Sequence, residues 1–144
     1  MDFSELIPHA LLAARGDAIV AADREGKIRY WNPGAERIFG HAASEAVGRS
    51  LDLIIPERLQ QRHWTGYQRT TQTGESRYGE GDLLSVPALR MDGSTVSIEF
   101  TIVPLKDIAG QLIGMVALMR DVTQKFEEMR LLKRQLADAT KASR

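Results

Sequence analysis

The sequence predicts an α+β fold built on an antiparallel sheet. Two groups of strand-like segments, residues 17–31 and 83–122, contain the short turns that join neighbouring antiparallel strands. Helical segments lie before, between and after these groups. Helices and hairpins that occupy separate stretches, rather than alternating one by one, are typical of this class.

Composition narrows the classes of function. The chain has 144 residues, 43% of them hydrophobic, which suits one domain with a short additional segment. Basic and acidic residues number 19 each, so no nucleic-acid-binding face is indicated. The absence of cysteine excludes disulfides, thiolate metal sites and cysteinyl-flavin photochemistry. No apolar run suits a membrane span and the N-terminus is unlike a signal peptide, so we expect a cytoplasmic protein.

The first elements are a helix and a hairpin. Apolar residues at helical spacing predict an amphipathic helix over residues 2–14, which ends at Gly16. A buried strand is predicted at residues 18–22, and residues 27–31 alternate as its partner. The acidic and glycine-containing stretch 23–26 has the chemistry of the turn between them.

Short helical turns follow the hairpin. Asn32 caps a helix that begins near Pro33 and ends before Gly40. A single turn is predicted at residues 44–47, and the apolar residues 51–55 close onto the core.

One long helix is predicted over residues 56–73, and we expect it to contact any ligand inside the protein. Glu57 lies in its first turn, where the helix dipole favours an acid. The polar residues 75–82 include two glycines and predict a mobile loop after the helix. One stripe of the helix holds Leu59, His63, Gly66, Tyr67 and Thr70.

Three strands complete the predicted sheet. Residues 83–90 form the first, and Pro87 indicates an edge strand or a bulge. Residues 95–105 alternate apolar and polar side chains, as in a strand with one buried face. Residues 111–122 are strongly apolar and are the best candidate for a central strand.

The last segment, residues 123–144, is predicted to be a helix capped by Asp121 or Thr123. Its apolar seam resembles a coiled coil, and a helix of this kind is marginal without a partner. We therefore predict a homodimer through the first and last helices. Three regions result: a flanking helix at 1–16, a domain at 17–122 and the C-terminal helix at 123–144. The seam consists of Val122, Met129, Leu132, Leu136 and Ala139.

Five short motifs, in order, resemble a PAS domain over about residues 10–123. The resemblance implies a five-stranded sheet with helices walling a pocket on one face. It also implies a sensory or dimerisation input to a histidine kinase, a cyclase or a transcription factor, as in two-component regulation, with Asp121 and Thr123 as signal relay. None of those output domains is present, so we expect an excised domain or a stand-alone sensor. The motifs are Asp23-x-x-Gly26-x-Ile28-x-x-x-Asn32-x-x-Ala35, Phe39-Gly40, Gly48, Arg90-x-Asp92-Gly93 and Arg120-Asp121-Val122-Thr123.

Residues 55–63 are similar to the helix of haem-binding PAS domains in oxygen-sensing kinases. That resemblance implies haem b as cofactor and His63 as its metal ligand, and a neutral imidazole on an apolar wall suits haem iron. Those sensors hold bound oxygen with an arginine, which corresponds here to Leu84. A leucine in place of that arginine would stabilise bound oxygen less. The resemblance therefore leaves nitric oxide, carbon monoxide or redox state as the signal. The implied pocket residues are Tyr67, Leu84, Ile98, Phe100, Ile102, Val116 and Leu118, with Met115 and Ala117 beside the last two.

Three alternatives to haem stay open. Trp31 and Trp64 suggest a flavin as the cofactor, although the late strands lack the amide side chains that would hold one. A small carboxylate ligand would meet Arg69, Arg77 and Tyr78 at the mouth of the loop. The third alternative is a cofactor-free interaction module that fills its own core and mediates homodimerisation.

Catalysis finds no support in the sequence. It contains no phosphate-binding loop in a strand-to-helix context, no nucleophile elbow and no zinc-protease motif. His9 and His41 have no partners at metal-ligand spacing. We therefore expect a protein that is not an enzyme.

Overall fold

A computed structural model describes residues 2–74 and 83–143. The predicted loop at 75–82, with Arg77 and Tyr78, lies outside the described residues. The observed order of elements agrees with the predicted one and confirms an α+β fold with a five-stranded antiparallel sheet. The helices are α1 (Phe3–Leu12), α2 (Pro33–Phe39), α3 (Ala43–Ala46), a 3-10 helix (Leu51–Ile54), α4 (Glu57–Thr73) and α5 (Thr123–Ala142). The strands are β1 (Ala18–Asp23), β2 (Ile28–Trp31), β3 (Leu84–Leu89), β4 (Thr95–Lys106) and β5 (Leu112–Asp121).

The sheet has the strand order β2-β1-β5-β4-β3, and every neighbouring pair is antiparallel. Its central strand is β5, as the apolar composition of that segment predicts. Strand β3 lies at one edge, where Pro87 is tolerated because an edge strand leaves one row of backbone groups unpaired. Ala18 lies opposite Met119, so the start of β1 and the end of β5 are side by side.

One face of the sheet packs against the helices, and its members follow from the register because side chains alternate along a strand. Val20 and Ile102 both lie opposite Ala117, so these three side chains share a face. On β4, apolar and polar side chains alternate, and the apolar ones face inward, as predicted. The inner-face residues of the three middle strands are Ala18, Val20 and Ala22, then Met115, Ala117 and Met119, then Ile98, Phe100 and Ile102.

The other face of the sheet carries Val116 and Leu118, which corrects the predicted pocket set. Leu118 lies opposite Ile19 and Thr101, and its side chain is 41% exposed. Both residues therefore point away from α4 and cannot line a pocket beneath it. Their neighbours Met115 and Ala117 occupy the inner face instead.

A fully buried amide side chain, that of Asn32, holds the first hairpin, α2 and the preceding segment together. Its Oδ1 accepts hydrogen bonds from the Ile19 and Ala35 amides at 2.8 and 2.9 Å. Its Nδ2 donates to the carbonyl oxygens of Ala14 and Asp17, each at 3.1 Å. Asn32 is thus the N-cap of α2, as predicted, and its hydrogen-bonding groups are satisfied.

The two terminal helices contribute no buried residue to the domain. Both expose large apolar side chains, including Phe3 on α1 and Leu136 on α5. None of the helices in the described part of the chain is long and apolar enough to cross a membrane.

Candidate functional site

The site is built around the face of α4 that meets the sheet. Tyr67 is buried, and Leu59, His63 and Thr70 are half-buried, in agreement with the predicted stripe. Gly66 shares the helical spacing of this stripe and is exposed. The helix is amphipathic because these inward positions recur every three or four residues.

Aromatic side chains attach α4 to the first hairpin and to the 3-10 helix. Trp64 Nε1 donates a hydrogen bond to Oδ1 of Asp52 at 2.7 Å, and its ring lies on Gly26. A Cβ at Gly26 would come within 2.1 Å of that ring, so only glycine allows the approach. The hydroxyl of Tyr67 donates to the carbonyl oxygen of Asp23.

The imidazole of His63 lies beside these two rings. Its centroid is 4.7 Å from that of Trp64 and 5.6 Å from that of Tyr67. Burial lowers the pKa of His63, and the opposing charge of Asp52 does not overcome this effect. The ring is therefore neutral at pH 7, the form in which histidine binds metals.

An unpaired nitrogen marks His63 as unusual. Its Nδ1 is buried without a hydrogen-bond partner, the one such side-chain atom among the described residues. A buried polar atom left unpaired costs about 1–3 kcal/mol, so most buried polar atoms in proteins have a partner.

The inner face of the sheet includes an apolar wall that is only partly covered. Phe100, Ile102 and Ala117 lie on the inner face yet are half-buried, as is Leu84 on β3. Ile98 is 3% exposed and belongs to the closed core beneath α2 and α3, against which Phe100 and Ala117 also pack. Ile102 packs in one cluster with Tyr67 and Trp64, beside which His63 lies. Phe100 packs against the core that contains Ile98, and Leu84 lies opposite Phe100 in the sheet.

The side chains present offer two of the chemical groups that a flat apolar cofactor with its own metal would need. His63 offers a neutral nitrogen ligand, and the half-buried wall offers apolar contact. In the described part of the chain no cluster of three or more histidine, aspartate or glutamate side chains could hold a bare ion.

The predicted relay residues form a compact junction at the start of α5. Oδ1 of Asp121 accepts hydrogen bonds from the amide and hydroxyl of Thr123 at 2.9 and 2.6 Å. The Thr123 hydroxyl accepts from the amide of Ser97, whose carbonyl accepts from the amide of Val122. The N-cap residue itself is Val122, so the predicted cap at Asp121 or Thr123 is wrong by position, although Asp121 pairs with the first helical amide.

Two site residues were not foreseen in these roles. Arg90, noted only as part of a turn motif, lies 3.6 Å from Oδ2 of Asp121 and so connects that turn to the junction. The same turn is bonded to α2 because the amide of Met91 donates to the carbonyl of Phe39 at 2.8 Å. Asp52, which holds Trp64, carries no local signal in the sequence that would have identified it.

Known proteins similar to this chain share its fold. A family model described as the PAS fold matches residues 12–126. The chain is 35% identical over 132 residues to an uncharacterized protein of Azorhizobium caulinodans, covering 91% of this chain and 18% of that protein. It is 25% identical over 109 residues to the oxygen sensor protein DosP of Escherichia coli, covering 76% of this chain and 13% of DosP.

A solved structure agrees with the same architecture. The crystal structure of a PAS domain from Colwellia psychrerythraea superposes with a TM-score of 0.72 at 24% identity, covering 85% of this chain and 99% of that one. At that identity the likeness concerns the fold. The chain spans less than a fifth of the length of the two curated relatives above.

Proposed function

Since this chain belongs to the PAS family of sensory domains, we propose that it is the input module of a longer signal transduction protein. In this proposal it performs no catalysis. A cofactor in the region between α4 and the sheet detects the signal, and the junction at Asp121 and Thr123 passes it to α5. The extent of the family match, residues 12–126, includes both the pocket region and that junction.

The cofactor we propose is haem b, with His63 as the iron ligand. The observation that carries the proposal is the neutral, half-buried imidazole of His63, with an unpaired Nδ1, beside Tyr67, which packs with Ile102 of the apolar wall. Haem supplies an iron centre sensitive to gases and to redox state. Tyr67, Phe100 and Ile102 would pack on its faces and exclude water. The similarity to an oxygen sensor protein supports a gas-related signal.

The chemistry of the wall favours particular signals. Leu84, Phe100, Ile102 and Ala117 have no hydrogen-bond donor in their side chains, so the described wall would not stabilise a polar bound gas. Oxygen gains more from such a donor than carbon monoxide does. We therefore propose carbon monoxide, nitric oxide or a redox change as the signal.

Strand β4 is the route from pocket to output in this proposal. It carries Phe100 and Ile102 on the wall, and three residues before Phe100 it carries Ser97, which is bonded to both Val122 and Thr123. A displacement of β4 by a ligand would therefore act directly on the first turn of α5.

An absorption spectrum of the 144-residue chain after addition of haemin tests the proposal. We expect a Soret band typical of histidine-ligated haem in the wild type, its loss in His63→Ala and its retention in His9→Ala. His9 lies on exposed α1 and serves as the matched control. A band that survives His63→Ala would place the iron ligand elsewhere, and no band in any sample would reject haem.

A second candidate function is a cofactor-free module for homodimerisation. The observation that favours it is the set of apolar side chains left exposed on α1 and α5, neither of which has a buried residue. This function is compatible with sensing, because a change in dimer packing is one way of using α5 as the output.

A further inference from the structure

The two halves of α4 differ in how they are attached to the domain. In the first half, Gln60 Nε2 donates to the carbonyl of Ile55 at 3.1 Å, and Trp64 is held by Asp52 and packs on Gly26. These contacts fix the helix up to about residue 64.

The second half has the composition of a weak helix. Residues 65–73 contain one glycine and four threonines, all of them poorer helix formers than alanine. A Cβ at Gly66 would meet nothing within 4 Å, so packing does not explain the glycine there. Glycine inside a helix with no packing reason lowers the cost of unwinding at that point.

Side-chain hydroxyls in this half bond to the backbone of their own helix. Thr65 donates to the carbonyl of Gln61, Thr70 to that of Gly66 and Thr71 to that of Gln68, at 2.9–3.0 Å. Such bonds offer the backbone an alternative to the regular helical pattern and often bend helices.

Tyr67 and Arg24 are among the residues that attach the second half to the domain. The Tyr67 ring is buried against Ala22 and Met115, and its hydroxyl bonds to the carbonyl of Asp23. Arg24 Nη2 donates to the carbonyl of Thr71 at 3.2 Å, in an exposed position.

We propose that residues 66–73 form a lid over the inner face of the sheet, hinged at Gly66 and latched by Tyr67. Opening breaks the bonds from Tyr67 to Asp23 and from Arg24 to Thr71, and it lifts the Tyr67 ring from Met115, exposing the wall at Ile102 that the same ring helps to cover. Use of the lid for cofactor access rests on the proposed function, whereas the opening itself does not.

Amide hydrogen exchange of the cofactor-free 144-residue chain tests the lid. We expect the amides of residues 70–73 to exchange faster than those of residues 61–64. Gly66→Ala should slow exchange at 70–73 roughly fivefold, the ratio given by the difference in helix propensity between the two residues. Tyr67→Phe keeps the ring but removes the latch bond, so exchange at 70–73 should accelerate by about three- to tenfold.

Gly16→Ala is the matched control. A Cβ there also meets nothing within 4 Å, and the substitution stiffens the unfolded chain to the same degree without touching α4. Exchange at 70–73 should therefore be unchanged by it. Equal exchange in the two halves of wild-type α4, or no effect of Gly66→Ala, would overturn the lid whether or not haemin binds.

The rate of haemin association tests, independently of hydrogen exchange, whether the lid controls access of the cofactor. We expect Gly66→Ala to slow association and Tyr67→Phe to accelerate it. Altered exchange with unaltered association rates would overturn the role of the lid in access. Failure of the wild type to bind haemin would count against the proposed cofactor, and the exchange measurements would still decide the lid.

Discussion

At the scale of single residues, His63 makes the stability of the domain depend on pH. Burial lowers the pKa of its imidazole below the ordinary value near 6.5. The unfolded chain therefore takes up the proton at a higher pH than the folded chain does. The contribution of the neutral ring to stability is complete above the unfolded pKa and is lost as the pH falls through the folded pKa.

We expect the free energy of unfolding of the cofactor-free chain to fall as the pH drops from 7.5 to 5, and to fall less in His63→Gln. One group of this kind changes the slope by at most about 1.4 kcal/mol per pH unit. Urea unfolding at several pH values measures the effect, with His9→Gln on exposed α1 as control. Parallel profiles for wild type and His63→Gln would show that this ring is not held neutral by the fold.

At the scale of elements, the junction between β5 and α5 depends on a single hydroxyl. The Thr123 hydroxyl donates to Asp121 and accepts from the amide of Ser97, so it joins three segments. Valine has the same shape without the hydroxyl. Thr123→Val would leave the Ser97 amide without its partner.

We expect Thr123→Val to weaken the docking of the first turn of α5 by about 1–2 kcal/mol, the cost of an unpaired amide in a partly buried place. Limited trypsin digestion detects this as faster cleavage after Lys125. Thr140→Val is the control, because the Thr140 hydroxyl bonds only within α5, to the carbonyl of Leu136. Equal cleavage of Thr123→Val and wild type would count against the junction as the point of coupling.

Elements with local sequence signals could be predicted well. Asn32 before Pro33 marks the start of α2, and Pro87 limits its strand to an edge. On β4 the polar residues between apolar ones reveal which side chains face inward. On β5 both faces are apolar from Met115 to Met119, so alternation carries no signal there, and Val116 and Leu118 were assigned to the wrong face.

Contacts between distant segments could not be predicted. Trp64 and Asp52 are 12 residues apart, and no local pattern requires their hydrogen bond. Arg90 and Asp121 meet only because β3, β4 and β5 are adjacent in the sheet. The sequence thus indicates which helix lines the predicted pocket. The residues that hold this helix in place come together only once the sheet has formed.

At the scale of the whole molecule, α5 extends from the domain with an apolar seam that nothing in the described chain covers. Met129, Leu132 and Leu136 are exposed, Leu136 to 69%. An isolated helix of this length is marginal in water, so we expect two copies to pair through this seam.

We expect sedimentation equilibrium to show a concentration-dependent dimer that Leu132→Lys together with Leu136→Lys abolishes. Gln135→Lys adds a charge to an exposed polar position of the same helix and should leave the dimer intact. A monomer at all concentrations in the wild type, or a dimer insensitive to both leucines, would contradict pairing through α5.

The adjacency of Ala18 and Met119 bears on how such a domain spreads among proteins. Because the chain enters along β1 and leaves along β5 at the same end of the sheet, the segment that follows α1 and the start of α5 meet the domain close together. A unit with neighbouring points of attachment can be inserted into a longer polypeptide, duplicated or lost with little rearrangement of what surrounds it. The small fraction of each curated relative that this chain matches, 18% and 13%, agrees with a portable unit carried within much larger architectures.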